Sequence, residues 1–162
     1  MATKISVIIP TYAPKDYLWE CLGSLENQTL SKDEFEVILV LNGEREPYES
    51  LIQKKLPEYS FNSTLLYSTP NGVSRARNLG MDKAQGCYIC FIDDDDWVSD
   101  NYLAELLSNA CDNGIVEANV KDVDEQTREE SEQHFLSRAY KNYQPEKESS
   151  RFANRSFFSS AC

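Results

Sequence analysis

Residues 87–97 read Cys87-Tyr88-Ile89-Cys90-Phe91-Ile92-Asp93-Asp94-Asp95-Asp96-Trp97. An almost wholly apolar run passes without a break into four carboxylates. A short run of this kind is how a strand covered on both faces reads. Carboxylates at its end then stand at the carboxyl edge of a sheet, where open α/β sheets bind ligands. If extended geometry persists through the run, Asp93 and Asp95 point one way and Asp94 and Asp96 the other.

Working outward, residues 5–9, 37–41 and 64–67 are similar β-rich runs. Pro10 lacks a ladder donor and is expected to end the first. Leu18, Cys21, Leu22 and Leu25 recur at i, i+3, i+4, i+7, one face of a helix. Asn42-Gly43 and Asn71-Gly72 turn the chain. Residues 48–56 read as a short helix stopped by Pro57, and residues 73–84 as a helix carrying Arg77. After the aspartates, Ser99 is the expected N-cap of a helix with a Leu103, Leu106, Leu107 and Ala110 stripe, and Gly114 stands at its C′ position. Ile115-Val116 opens a fifth strand. This alternation predicts an α/β architecture with a largely parallel sheet.

The character changes near Lys121. Residues 122–132 hold six acids and one base. Thr127 with Glu130 reads as a capping box, and Leu136, Ala139, Tyr140 and Tyr143 as one face of a following helix. The division expected is residues 1–120 and residues 121–162, the second incomplete, with Phe152, Phe157 and Phe158 in a stretch that nothing closes.

The whole chain has 162 residues, 27 acidic and 16 basic, for a formal charge of −11. One domain is the prior at this length. The acidity argues against nucleic acid and anionic membranes as partners, because phosphate repels such a surface. No run of 18 apolar residues and no signal-peptide pattern occurs, so a cytoplasmic location is expected. Five scattered cysteines fit a reduced compartment. Cys87-x-x-Cys90 has no second pair and is read as buried structural thiols, the three Asn-x-Ser/Thr triplets as chance, and His134 as a surface residue.

Crowded carboxylates repel one another, so either some are protonated or a divalent cation resolves the conflict. Oxygen-rich sites suit Mg²⁺ or Mn²⁺, which take one or two carboxylates plus substrate phosphates. The competing reading is a solvated acidic turn.

Several segments, in order, resemble family 2 glycosyltransferases, enzymes of the GT-A fold. They are Ile8-Ile9-Pro10-Thr11-Tyr12; Cys21-Leu22-Gly23-Ser24-Leu25 with Gln28-Thr29; Phe35 to Val40; Gly72-Val73-Ser74-Arg75-Ala76-Arg77-Asn78-Leu79-Gly80; and Tyr88 to Asp96, which is similar to a strand ending in a DxD motif. The likeness covers about residues 5 to 115. It implies a Rossmann-like three-layer sandwich with a mostly parallel central sheet. Residues 1–120 would then bind a nucleoside diphosphate sugar, and residues 121–162 begin the acceptor side.

The resemblance also implies roles. Pro10, Thr11 and Tyr12 hold the base, with Tyr12 offering a ring face. Asp93, with Asp94, approaches the ribose or metal-bound water, Asp95 ligates Mn²⁺ or Mg²⁺ on the diphosphate, and Arg77 faces the donor. An aromatic just beyond a buried strand can stack on a base, which favours that role for Tyr12 over a half-buried loop tyrosine; Arg77 read by itself is equally a surface arginine or the partner of an acid. The reaction implied is inverting transfer, with a UDP-linked donor and a carbohydrate or lipid-linked acceptor, near the inner face of a membrane. Two positions depart from the pattern. Asn42 stands where the family usually has an acid near the base, and Ala13 where it often has Asn. The family's Glu-Asp pair followed by arginine, which marks the catalytic base, is not found; Glu117 and Glu129-Glu130 have the wrong surroundings. Two alternatives remain: a binding module without chemistry, and a sugar nucleotidyltransferase, disfavoured because Pro10-Thr11-Tyr12-Ala13-Pro14 lacks a glycine-rich phosphate loop.

Overall fold

The structure, a computed structural model, describes residues 2–110, 114–118, 121–124, 127, 130–132, 139–141 and 157–160. In chain order the elements are β1 (Ile5–Thr11), α1 (Asp16–Glu26), β2 (Phe35–Asn42), α2 (Tyr48–Lys55), β3 (Asn62–Ser68), α3 (Val73–Met81), β4 (Tyr88–Phe91), α4 (Tyr102–Ser108), β5 (Gly114–Glu117), β6 (Lys121–Val123), β7 (Glu130–Glu132), β8 (Ala139–Lys141) and β9 (Phe157–Ser160). One seven-stranded sheet has the order β3-β2-β1-β4-β9-β5-β8, and β6 and β7 form a separate antiparallel pair. The first four strands are mutually parallel. β9 lies antiparallel between β4 and β5, so β5 still runs with β1 to β4. The chain therefore steps outward from β1 to β3, then returns to the other side of β1 for β4. That reversal makes the gap beyond the ends of β1 and β4 the topological switch point, the preferred ligand crevice of such sheets.

Side-chain alternation sorts the central strands into two cores. Ile5, Val7 and Ile9 of β1 and Phe35, Val37, Leu39 and Leu41 of β2 pack with Leu18, Cys21, Leu22 and Leu25 of α1, Ile52 of α2, and Leu103 and Leu106 of α4. Ile8, Ile38, Val40 and Ile89 face the opposite way, onto Ala76 and Leu79 of α3. The result is a three-layer sandwich. Each of these fully buried aliphatic side chains contributes roughly 1.5–3 kcal/mol.

At the amino end of the strands, Ser6 Oγ donates to the nearly buried Glu36 carboxylate at 2.6 Å. The Gln85 N–H donates to Glu36 at 2.7 Å, and the Gly86 N–H to Ser6 Oγ at 2.9 Å. This knot satisfies a carboxylate that would be costly to bury alone, and it fixes where β4 begins.

Several expectations need correction. Pro10 does not end β1, which runs on to Thr11. Ile8 O accepts from Ile92 N on the β4 side, and side direction repeats every second residue in a parallel strand, so the missing Pro10 donor faces the space past the end of β4. No ladder bond is lost there. Pro57 does not simply stop α2 but sits in a 3₁₀ turn, Leu56–Glu58. α3 ends at Met81 rather than residue 84. Gly114 opens β5 and is not a helix C′ residue, since α4 ends at Ser108. Thr127 belongs to the β6–β7 connection, its N–H donating to Asp124 Oδ1 at 2.8 Å, and not to a capping box. Ala139 and Tyr140 lie in a strand instead of a helix, because pairing with β5 overrides the local periodicity. Cys90 is buried, which pushes its thiol up to about 12, but Cys87 is exposed. His134, Glu129, Leu136, Tyr143 and Phe152 lie outside the described residues. Among the described residues no helix is long and apolar enough to cross a membrane.

Candidate active site

β4 ends at Phe91, and the Asp96 N–H donates back to Asp93 O at 3.1 Å. The four aspartates therefore form a turn, and the two-and-two alternation of an extended strand does not persist. Each carboxylate has its own surroundings. Arg77 Nη2 donates to Asp93 Oδ1 at 2.6 Å, while the guanidinium lies 5.6 Å from the centre of the Phe91 ring. Arg77 Nε is buried and, among the described residues, has no hydrogen-bond partner. Thr11 Oγ1 donates to Asp94 Oδ2 at 2.5 Å, and the Tyr12 backbone N–H donates to the same carboxylate. Burial raises the Asp94 carboxyl above its ordinary range, with the Asp95 charge adding to it against the pull of those hydrogen bonds. Asp96 is pushed up to about 6, by desolvation first and then by the charges of Asp95, Asp93 and Asp94; the residue is exposed, so water screens part of that repulsion. Asp95 is exposed and, among the described residues, no hydrogen bond engages it.

The turn and the segment after it are clamped along α1. The buried Cys21 thiol points at Asp93 O, 3.8 Å away, and is held protonated by burial and by the aspartates above it. Ser24 Oγ accepts from the Val98 N–H at 3.2 Å. Gln28 Nε2 donates to Ser99 O at 2.7 Å, and Gln28 Oε1 accepts from the Leu103 N–H at 2.9 Å. Gln28 thus satisfies the free N–H at the start of α4, the task expected of Ser99, whose place lies before the actual N-cap, Asn101. Cys21, Ser24 and Gln28 follow i, i+3, i+7 spacing. The signal was present, because Gln28 continues the buried stripe of Leu18, Cys21 and Leu25 past the helix end. Gln28→Ala is expected to lower stability by about 1–3 kcal/mol, since it leaves the buried Leu103 N–H without its partner while Ser99 O keeps the Tyr102 N–H; urea denaturation checks this.

The facing wall comes from β1 and β2. Pro10 and Thr11 are buried, so of the three residues expected at the base only Tyr12 presents itself to solvent, at 60% exposure. Its ring lies on Gly43: a Cβ at that position would meet Tyr12 Cδ2 and Cε2 at 2.6 Å. Tyr67 donates its hydroxyl to Gly43 O at 2.9 Å, holding that turn. Asn42 is nearly buried, and its Oδ1 accepts from the Gly72 N–H at 2.8 Å. Asn42 therefore ties the end of β2 to the start of α3, the helix that delivers Arg77.

Ala13 has φ +46°, in the left-handed region that Asn tolerates and Ala resists. Ala13→Asn is expected to raise stability by about 1 kcal/mol, measurable as a higher Tm.

Among the described residues no group of three or more His, Cys, Asp or Glu side chains gathers as a preformed cation cage. Asp93 is engaged by Arg77 and Asp94 by Thr11, which among the described residues leaves the exposed Asp95 and Asp96 as the open carboxylates. That set fits a hard cation arriving with its other oxygen ligands on a diphosphate, the usual Mg²⁺ arrangement.

Comparison with known proteins agrees with this architecture. The description "Glycosyl transferase family 2" matches residues 6–162. Glycosyltransferase GlyA of Streptococcus pneumoniae is 34% identical over 103 residues, 64% of this chain and 14% of GlyA. The poly(ribitol-phosphate) beta-N-acetylglucosaminyltransferase TarS of Staphylococcus aureus is 30% identical over 102 residues, 63% of this chain and 18% of TarS. The chain thus spans less than a fifth of either relative. The structure of S. aureus TarS 1–349 in complex with UDP-GlcNAc matches at TM-score 0.59 and 29% identity, covering 66% of this chain and 31% of that one. The mannosyltransferase PcManGT from Pyrobaculum calidifontis shares the fold at TM-score 0.66 and 23% identity, over 75% of this chain and 36% of that one. A parallel four-stranded centre with aspartates at its switch point, and a family match over nearly the whole length, have one meaning: the chain belongs to glycosyl transferase family 2 and has the GT-A fold.

Proposed function

We propose that residues 1–120 bind the nucleoside diphosphate sugar, with uridine as the base, in a glycosyltransferase that passes the sugar to a carbohydrate acceptor with inversion. The observation that carries this is the Asp93–Asp96 turn, held by α1 at the β1/β4 switch point and hydrogen-bonded to the end of β1, where Tyr12 exposes its ring against Gly43. In this reading Tyr12 stacks on the base, supported by Gly43. Thr11 and Arg77 hold Asp94 and Asp93 at the ribose side. Asp95 is the ligand for Mn²⁺ or Mg²⁺. Such an ion, when bound, offsets the charge developing on the departing diphosphate. The family's base would take the acceptor's proton; no residue described here is assigned that role. Support for uridine comes from TarS, solved with UDP and with UDP-GlcNAc.

Calorimetric titration with UDP, GDP and ADP, each with Mn²⁺ and with EDTA, tests the proposal. Preferential, Mn²⁺-dependent binding of UDP is expected. Equal affinity for the three nucleotides, or no binding, would contradict it. Sugar transfer from UDP-GlcNAc to a glycan, assayed separately, distinguishes an enzyme from a binding module.

A further inference from the structure

A second hollow lies outside the donor crevice. It is about 410 Å³ and open to solvent, between α1 and the segment that follows the aspartate turn. Its walls include Glu20, Gly23, Asn27, Trp97 and Asp100. Trp97 follows directly on Asp96 and is 48% exposed. A large aromatic side chain gains most of its free energy by burial, so an indole left half in water beside a polar wall is prepared for a partner with one apolar face.

Gly23 gives an independent sign. It lies in the middle of α1, where glycine is about 1 kcal/mol worse than alanine. Crowding does not require it, because a Cβ there would meet nothing within 4 Å. What the missing side chain does provide is open space along the α1 wall of the hollow that Trp97 also lines.

The chemistry of the walls selects the occupant. The Asp100 carboxylate and the Asn27 carboxamide offer acceptors and donors for hydroxyl groups, while the acidity of a chain with charge −11 repels phosphate. A pyranose has both required faces, C–H groups for the indole and hydroxyls for the rim. We propose that this hollow is a saccharide subsite that takes an uncharged pyranose of the acceptor glycan against Trp97. Naming the occupant as acceptor rests on the glycosyltransferase reading; the presence of the subsite does not.

The chain has two tryptophans, so ¹⁵N-labelled protein gives two indole signals, and Trp19 serves as the internal control. Chitotetraose, cellotetraose and tetralysine are titrated separately, and UDP with Mn²⁺ is titrated on the same samples. A neutral tetrasaccharide is expected to shift the Trp97 indole signal and leave that of Trp19 in place. Gly23→Leu, which extends a side chain into the hollow from a Cβ position with nothing within 4 Å, is expected to weaken saccharide binding by about tenfold or more while UDP binding is retained. Trp97→Ala is expected to remove saccharide binding, read by calorimetry. A Trp97 signal unmoved by both tetrasaccharides, a shift with tetralysine alone, or saccharide affinity unchanged in both variants would overturn the proposal. Saccharide binding without UDP binding would uphold the subsite and remove the donor reading; the reverse result would do the opposite.

Discussion

Asp95→Ala is expected to remove the Mn²⁺ dependence of UDP binding and to leave the fold untouched. Asp95 is exposed and engages no hydrogen bond among the described residues, so its loss falls among surface changes within about 0.5 kcal/mol of neutral. The loss for the ligand is much larger. Asp95 is the carboxylate assigned to the cation, so removing it weakens the protein's own hold on the ion, and affinity in Mn²⁺ falls on the order of 100-fold, towards the metal-free value. Asp94→Ala behaves differently. It strands the Thr11 hydroxyl and the Tyr12 N–H, so it lowers stability by about 1–3 kcal/mol as well as disturbing the site. Parallel calorimetry and thermal melts on the two variants separate a cation ligand from a positioning carboxylate. Equal melting losses, or an Asp95→Ala protein that binds UDP as wild type does in Mn²⁺, would reject the assignment.

The second large effect lies at the other end of the sheet. A Cβ on Gly86 would stand 2.6 Å from Ser6 N and 2.7 Å from Ile5 C, both backbone atoms of the central strand β1. Neither can swing aside as a side chain would. Relief requires moving residue 86 outward, which breaks its N–H bond to Ser6 Oγ and disturbs the Gln85 contact to Glu36. Gly86→Ala is therefore expected to cost about 3 kcal/mol or more, a fall in Tm of roughly 10 °C. Gly23→Ala is the matched control. It adds the same methyl group in a helix with open space, and is expected to gain up to about 1 kcal/mol. If the two variants melt together, the close approach at Gly86 is not what holds β4 in place.

The parts legible in the sequence were those with a local cause. The apolar runs of β1 and β2 announce strands buried on both faces, and the Leu18, Cys21, Leu22 and Leu25 stripe marks the face of α1 that is in fact buried. The aspartates announced a sheet edge for the same reason. What stayed illegible depended on partners distant in the chain. Pro10 continues β1 because β4 has already ended beside it, which residue order alone does not reveal. Gln28 caps a helix 75 positions away, so the local Ser99 signal was the wrong one. β8 and β9 take their strand form from pairing with β5 and β4, against a stretch whose own pattern suggested a helix at Ala139 and Tyr140. The individual roles of the four aspartates also depended on long-range contacts, since a turn replaced the expected alternation and Thr11 and Arg77 each claimed one carboxylate.

A crystal structure of the protein grown with UDP and Mn²⁺, with anomalous data collected for manganese, tests the central claim most directly. The account predicts an anomalous peak shared by the Asp95 carboxylate and the diphosphate oxygens, with the uracil ring against Tyr12. Nucleotide bound elsewhere, or a diphosphate at the β1/β4 crevice with manganese bridging to none of the aspartates, would contradict it.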